Sequence, residues 1–108
     1  MNKTEDQIMQ PIHDIDRVIH APARLLIMAH LSMVASADFT YLLNQTKLTR
    51  GNLSTHLGKL EESHYVRITK EFIDKIPRTL IRLTDEGKSA LKKYSDNMLQ
   101  VVNAILNP

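Results

Sequence analysis

Between positions 50 and 59 the chain carries Arg50, Asn52, Ser54, Thr55, His56 and Lys59, a set rich in hydrogen-bond donors and acceptors with two permanent cations. Such groups suit a nucleic-acid surface. An Asn amide can bond adenine in a bidentate manner, a Thr methyl can meet the methyl of thymine, and Arg or Lys can reach guanine or phosphate. Nucleophilic catalysis fits the same residues poorly. Ser54 and His56 are two apart, so on a helix their side chains diverge, and no third group is placed to orient them. Gly51, Gly58 and Gly87 stand singly, without the clustered glycines of a phosphate-cradling loop. The residues predict binding, with no catalytic site and no enzyme.

For these side chains to act together they must share a helical face. Leu53, Leu57 and Leu60 recur at i, i+4 and i+7, which puts them on one inward stripe and turns positions 51, 52, 55, 58, 59 and 62 outward. Thr49 is the expected N-cap, its hydroxyl accepting from an amide of the first turn, so the helix starts near Arg50. Upstream, Tyr41, Leu42 and Leu43 form a short apolar cluster, with Thr40 as its expected cap and an end around Asn44 to Lys47. Two helices joined this closely predict a helix-turn-helix. Downstream, Tyr65 to Ile73 and Arg78 to Leu83 interleave β-prone Val66, Ile68, Phe72 and Leu80 with polar Arg67, Thr69, Lys70, Thr79 and Arg82. Asp74, Lys75, Ile76 and Pro77 are the expected hairpin tip, because proline lacks the donor that a sheet ladder needs. The fold class is therefore mainly α with a small β-hairpin wing, a winged helix-turn-helix.

Charge follows the same order of parts. From Lys47 to Arg82 eight basic residues stand against four acidic ones, a net +4, whereas residues 1–46 carry −2 and residues 83–108 carry zero. Positive charge concentrated on the second helix and the hairpin is the footprint of a phosphate binder, and it makes Lys70, Lys75 and Arg78 candidate contacts. At 108 residues, 43% of them hydrophobic, the chain fits one domain with a modest core. Without cysteine it has neither disulfides nor a Cys-based metal site, and its longest apolar run, Leu25 to Ala29, is far too short to span a bilayer. A cytoplasmic protein with no membrane association is the expectation.

The runs RVIHAPARLLIMAHL (Arg17 to Leu31), ADFTYLL, LTRGNLSTHLGKLEESHYV and PRTLIRLTDEGKSAL (Pro77 to Leu91) together resemble the MarR-like winged-helix transcriptional regulators, in particular their short single-domain branch. The likeness runs from about Asp16 to Leu91, with order and spacing kept. It implies a homodimer on double-stranded DNA, with one recognition helix per protomer in successive major grooves and the wing reaching toward a neighbouring minor groove. Arg50, Asn52, Ser54, Thr55, His56 and Lys59 match the recognition helix, and Arg78 matches the basic position on the wing's return strand. Gly58 departs from the pattern, since relatives often carry a basic or long polar residue there; mid-helix it costs on the order of 1 kcal/mol relative to Ala. The resemblance also implies a small-molecule effector at the dimer interface, which no residue here identifies, and it implies no cofactor.

Two segments point to self-association. The stretch Ala21 to Met33, with Pro22 in its first turn, is apolar nearly all round, more than one core face can use. After Thr84, an expected cap followed by Asp85 and Glu86 at the positive helix start, Leu91, Tyr94, Met98, Val101 and Ile105 recur at steps of three and four as a seam for a partner helix. Residues 92–106 lie beyond the winged core, so Val101, Val102, Ile105 and Leu106 need a second copy to cover them, with Ile8, Met9, Ile12 and Ile15 of the N-terminal arm able to join the interface. The expected organisation is one domain over residues 1–108: an N-terminal arm (1–15), a winged-helix core (16–83) and a C-terminal dimerisation helix (84–106). Five histidines raise metal sensing, as in the ArsR-like regulators of related fold. Asp16 and His20 at i, i+4 can share a helical face, with His13 and Asp14 nearby, but the C-terminal helix offers no second cluster and no metal site is assigned. Two other uses of such a fold stay open: a protein-interaction adaptor working through Ile73 and Ile76 at the wing tip, and an architectural DNA binder with little sequence preference.

Overall fold

Five helices and a three-stranded antiparallel sheet appear in the computed structural model, which describes residues 3–107, leaving the side chains of residues 3, 4 and 6–8, Ile8 among them, outside the description. In chain order these are α1 (Lys3–His13), α2 (Pro22–Leu31), β1 (Ala37–Asp38), α3 (Phe39–Thr46), α4 (Arg50–Glu62), β2 (Val66–Ile73), β3 (Ile76–Leu83) and α5 (Asp85–Leu106). The arrangement is a winged helix: α2, α3 and α4 pack on one face of the β2–β3 hairpin around Ile27, Met28, Leu42, Leu53, Leu60 and Ile81, each with no exposed surface.

The helix-turn-helix is fixed by its caps. Thr49 accepts from the Asn52 amide at 3.1 Å and starts α4, as its sequence position predicts. For α3 the cap is Asp38 instead of Thr40: the Asp38 carboxylate accepts from the Tyr41 amide at 2.7 Å, and Thr40 lies inside the first turn. Lys47 closes α3 in the left-handed region at φ 58°, its amide bonded to the Leu43 carbonyl. His64 does the same beyond α4 at φ 64°, where the Tyr65 amide reaches the Leu60 carbonyl at 2.9 Å and the His64 amide reaches Glu61 at 2.9 Å. That is a Schellman closure with histidine in the position glycine usually takes. α2 ends at Leu31, short of Met33; Ile27, Met28 and Leu31 are buried, and Leu26, Met33 and Val34 keep an exposed apolar edge.

The hairpin differs from expectation at its tip. Asp74 and Lys75 alone form the turn, both at positive φ (52° and 66°), which is the two-residue type I′ geometry that matches strand twist. Ile76 and Pro77 belong to β3, paired with Ile73 and Phe72. Proline is accommodated because the Phe72–Pro77 pair next to the closing pair is a non-hydrogen-bonded one, so the missing N–H would point to the outer edge. On that edge β1 reaches only Leu80 and Ile81.

The N-terminal arm is a helix, α1, packed along α5, with the Asn97 amide donating to the Pro11 carbonyl at 2.9 Å. α5 starts where expected: the Thr84 hydroxyl accepts from the Gly87 amide at 2.9 Å and donates to the His64 carbonyl at 2.6 Å. A Cβ on Gly87 would lie 2.0 Å from the Tyr65 carbonyl oxygen, so this close approach of α5 to the β2 entrance requires glycine. This packing engages much of the expected partner seam on α5 within the protomer. Leu91, Tyr94 and Met98 lie against the chain's own core and Val101 is buried, because α1 and the core supply the surface that the sequence pattern left open. Only Ile105 of that seam is freely exposed, beside Leu99, Val102 and Leu106.

Candidate nucleic-acid interface

With Leu53, Leu57 and Leu60 sealed inward, α4 turns Arg50, Asn52, Ser54, Thr55 and Lys59 to solvent. Gly51 and Gly58 share this outer face, and a Cβ at either would meet nothing within 4 Å. Neither glycine is demanded by the protein's own packing, so both keep the outer face low at the helix propensity cost of glycine.

The start of α4 is tied to the wing through α3. The Arg50 guanidinium carbon sits 5.7 Å from the centroid of the Phe39 ring, a cation–π contact that limits where this long side chain can swing. Phe39 follows Asp38, whose second carboxylate oxygen accepts from Arg78 at 3.1 Å. One residue thus caps α3 and holds the wing's return strand, and the side chains of Asp38, Phe39, Thr40, Arg50, Arg78 and Thr79 border a single hollow. Both members of the ion pair are solvent-accessible, so it steers geometry more than it stabilises. Arg78 remains exposed with part of its charge answered by Asp38. Lys70 and Lys75 are exposed on the wing, as are Arg67 and Arg82.

His56 departs from the rest of the set. It is half-buried and faces α2, with its Nδ1 3.3 Å from Nη1 of Arg24. Arginine only donates, so Nδ1 accepts and the ring N–H sits on Nε2. Arg24 also donates to the Val18 and Arg17 carbonyls, which pins it under α4. Arg24 is the functional neighbour that sequence reasoning passed over, and its one signal was a lone arginine inside the apolar run of α2. Ser54 is exposed while His56 turns inward, so the two form no nucleophilic pair.

Asp16 and His20 do not share a helix, since residues 14–21 form a turn in which the His20 amide bonds the Asp16 carbonyl at 2.8 Å. Their side chains are committed elsewhere. Asp16 accepts from the Val18 and Ile19 amides and, at 2.6 Å, from the Tyr65 hydroxyl; His20 Nδ1 lies 2.9 Å from the Tyr94 hydroxyl. Burial, aided by the Asp16 hydrogen bond and the negative charges of Asp16 and Glu86, pushes the Tyr65 hydroxyl up to about 12. Burial raises Tyr94 as well. These contacts join the α1–α2 turn to the end of α4 and to α5. Among the described residues no group of three or more His, Asp or Glu side chains is arranged to hold a metal.

A family model described as a winged helix DNA-binding domain matches residues 23–102. An uncharacterised protein of Methanocaldococcus jannaschii, MJ0432, is 35% identical over 85 residues, which cover 79% of this chain and 92% of that protein. A transcriptional regulator homologue from Pyrococcus horikoshii OT3 superimposes with a TM-score of 0.82 at 27% identity, over 93% of this chain and 97% of its own. Sco3205, a MarR family transcriptional regulator from Streptomyces coelicolor solved in complex with DNA, has the same fold at a TM-score of 0.66 and 23% identity, over 96% of this chain and 68% of its own.

Proposed function

The chain belongs to the winged helix DNA-binding domain family and, with the fold of MarR-family transcriptional regulators, is a DNA-binding transcriptional regulator; from that premise we propose that it acts as a sequence-specific homodimer on duplex DNA. The observation that carries this reading is the outer face of α4, where Arg50, Asn52, Thr55 and Lys59 stand exposed and Arg50 borders one hollow with Arg78 of the wing. α4 enters the major groove. Arg50, Asn52 and Thr55 read base edges there, while Ser54, Lys59 and the free Nε2–H of His56 bond the backbone. Lys70, Lys75 and Arg78 meet phosphates from the wing, which lies on the backbone or in the minor groove.

Dimerisation uses the exposed face of α5, in which Leu99, Val102, Ile105 and Leu106 recur at i, i+3, i+6 and i+7; Met9 and Ile12 of α1, the helix packed along α5, are exposed as well. Leu91, Tyr94, Met98 and Val101 contribute by fixing α5 against its own core, and Ile105 makes the contact. Domain roles follow: residues 16–83 bind DNA and residues 84–106 join the two copies. A small-molecule effector would fit the amide-lined hollow of Gln10, Asn97, Gln100 and Asn103 between α1 and α5, next to that interface. Among the described residues no helix is long and apolar enough to cross a membrane, and a cytoplasmic location follows from the proposed DNA partner.

Binding of the full chain to selected and scrambled duplexes, measured by anisotropy across a salt series, tests this reading. A regulator prefers the selected duplex by about 10³-fold or more. Equal, salt-sensitive binding to both would make the protein an architectural binder, and binding to neither an adaptor. In the same assay Arg78→Ala weakens binding to every duplex and lowers the salt slope by about 1.

A further inference from the structure

The row of the β2–β3 hairpin that faces the helices turns polar where the helices end and becomes apolar again at its outer end. Side chains alternate along a strand, so the paired rungs Val66–Leu83, Ile68–Ile81, Lys70–Thr79 and Phe72–Pro77 all point to the helix side of the sheet. The first two rungs belong to the core, and at the third Lys70 is exposed. The outermost is solvent-facing, and Phe72 is 77% exposed. Its opposite face carries Ile73 and Ile76, exposed as well, at a turn of Asp74 and Lys75. Five basic residues and two acidic ones make up the charge of residues 66–83, with Lys70 and Lys75 flanking the apolar tip. A polyanion is therefore the partner this surface complements. On the return strand, Pro77, Arg78 and Thr79 border the same hollow as Arg50 at the start of α4.

Resting on the duplex-binding reading above, we propose that Phe72, backed by Pro77, is an apolar wedge that enters the minor groove beside the α4 site and partly unstacks one base step. Lysines on either side of the tip hold it against the two phosphate backbones that wall the groove. Between them an apolar side chain can slip between bases and replace part of the stacking it disrupts; Phe and Pro are among the side chains suited to such insertion. The cost of opening a step depends on its sequence and is least at pyrimidine–purine steps such as TpA. The wing thereby adds discrimination at positions that α4 does not touch.

The test uses the full chain with duplexes of roughly 30 bp, one rich in TpA steps and one built of A-tracts, each carrying 2-aminopurine at a central step. The wild-type protein binds the TpA-rich duplex more tightly by roughly tenfold and raises 2-aminopurine fluorescence on it. Phe72→Ala loses both the preference and the fluorescence rise while keeping its circular dichroism and salt slope, and Phe72→Leu retains most of both. Wild-type binding without a fluorescence rise, or a Phe72→Ala variant that keeps the preference, overturns the wedge and leaves the regulator reading standing. Loss of self-association in Phe72→Ala, seen by sedimentation, overturns it too by assigning Phe72 to a contact between copies. No binding of the wild-type chain to either duplex defeats the duplex-binding reading along with the wedge.

Discussion

The helix-turn-helix body and the α1–α5 arm solve the same problem differently. In the body, α4 buries Leu53, Leu57 and Leu60 completely or nearly so and shows polar, basic and glycine positions to solvent, with Glu61 and Glu62 at its end. In the arm, α5 buries Tyr94 and Val101 on one side yet exposes Leu99 at 59%, Ile105 at 62% and Leu106 at 70% on the other. The outer face of α4 is closed to apolar contact; α5 keeps a second apolar face open to solvent. A polar outer face is suited to a polar ligand, and an apolar one to another copy of the same helix. On the proposed function the difference separates reading DNA from assembling the reader, and it can be broken one region at a time.

Leu57→Ala carries the largest expected effect. Removing a side chain that α4 buries costs about 2–5 kcal/mol, read as a lower urea midpoint, and DNA binding falls with the fold. Next, Leu99→Ser with Ile105→Ser weakens self-association by at least about tenfold in sedimentation equilibrium, while near-native circular dichroism is kept because both sites are solvent-facing in the protomer. A double variant that stays dimeric would erase the proposed distinction between the regions. Tyr65→Phe probes the link between them. Its hydroxyl is raised to about 12 in the folded chain from an ordinary 10, so the protonated form is favoured by folding. The stability this confers is present below pH 10 and is lost as pH rises toward 12. Thermal melts of the wild type should drop across that window more steeply than those of Tyr65→Phe. The smallest effect belongs to Gly58→Ala, where open space and helix propensity together raise stability by about 1 kcal/mol. If DNA affinity falls in that variant, the glycine is there for groove approach.

Much of the body was legible because its signals are local. The leucine spacing of α4 and the caps Thr49 and Thr84 each depend on residues a turn apart, and all three form as the spacing predicts. Asp38 was missed as the α3 cap since both Asp38 and Thr40 have capping chemistry, and only the two-residue strand β1 that ends at Asp38 fixes which one precedes the helix. The wing tip was displaced because Asp74 and Lys75 take positive φ without glycine or asparagine, while Pro77 hides on an open sheet edge. The N-terminal arm was read only as an arm, and its helix α1 packs on α5, where Leu91, Tyr94, Met98 and Val101 are covered within the protomer. Periodicity showed that α5 has a stripe to bury; it carried no information about which chain buries it. Likewise the outward set on α4 was readable as a set, but the turning of His56 toward Arg24 is a contact across 32 residues that no local pattern encodes.

Selection of bound duplexes from a random pool by the wild-type chain tests the central claim, that two copies present α4 to successive major grooves. The account predicts a two-fold symmetric motif with half-site centres about 10 bp apart, and relaxed preference at one position in each half when Asn52→Ala is used instead. A pool recovered with no motif above the input would contradict it.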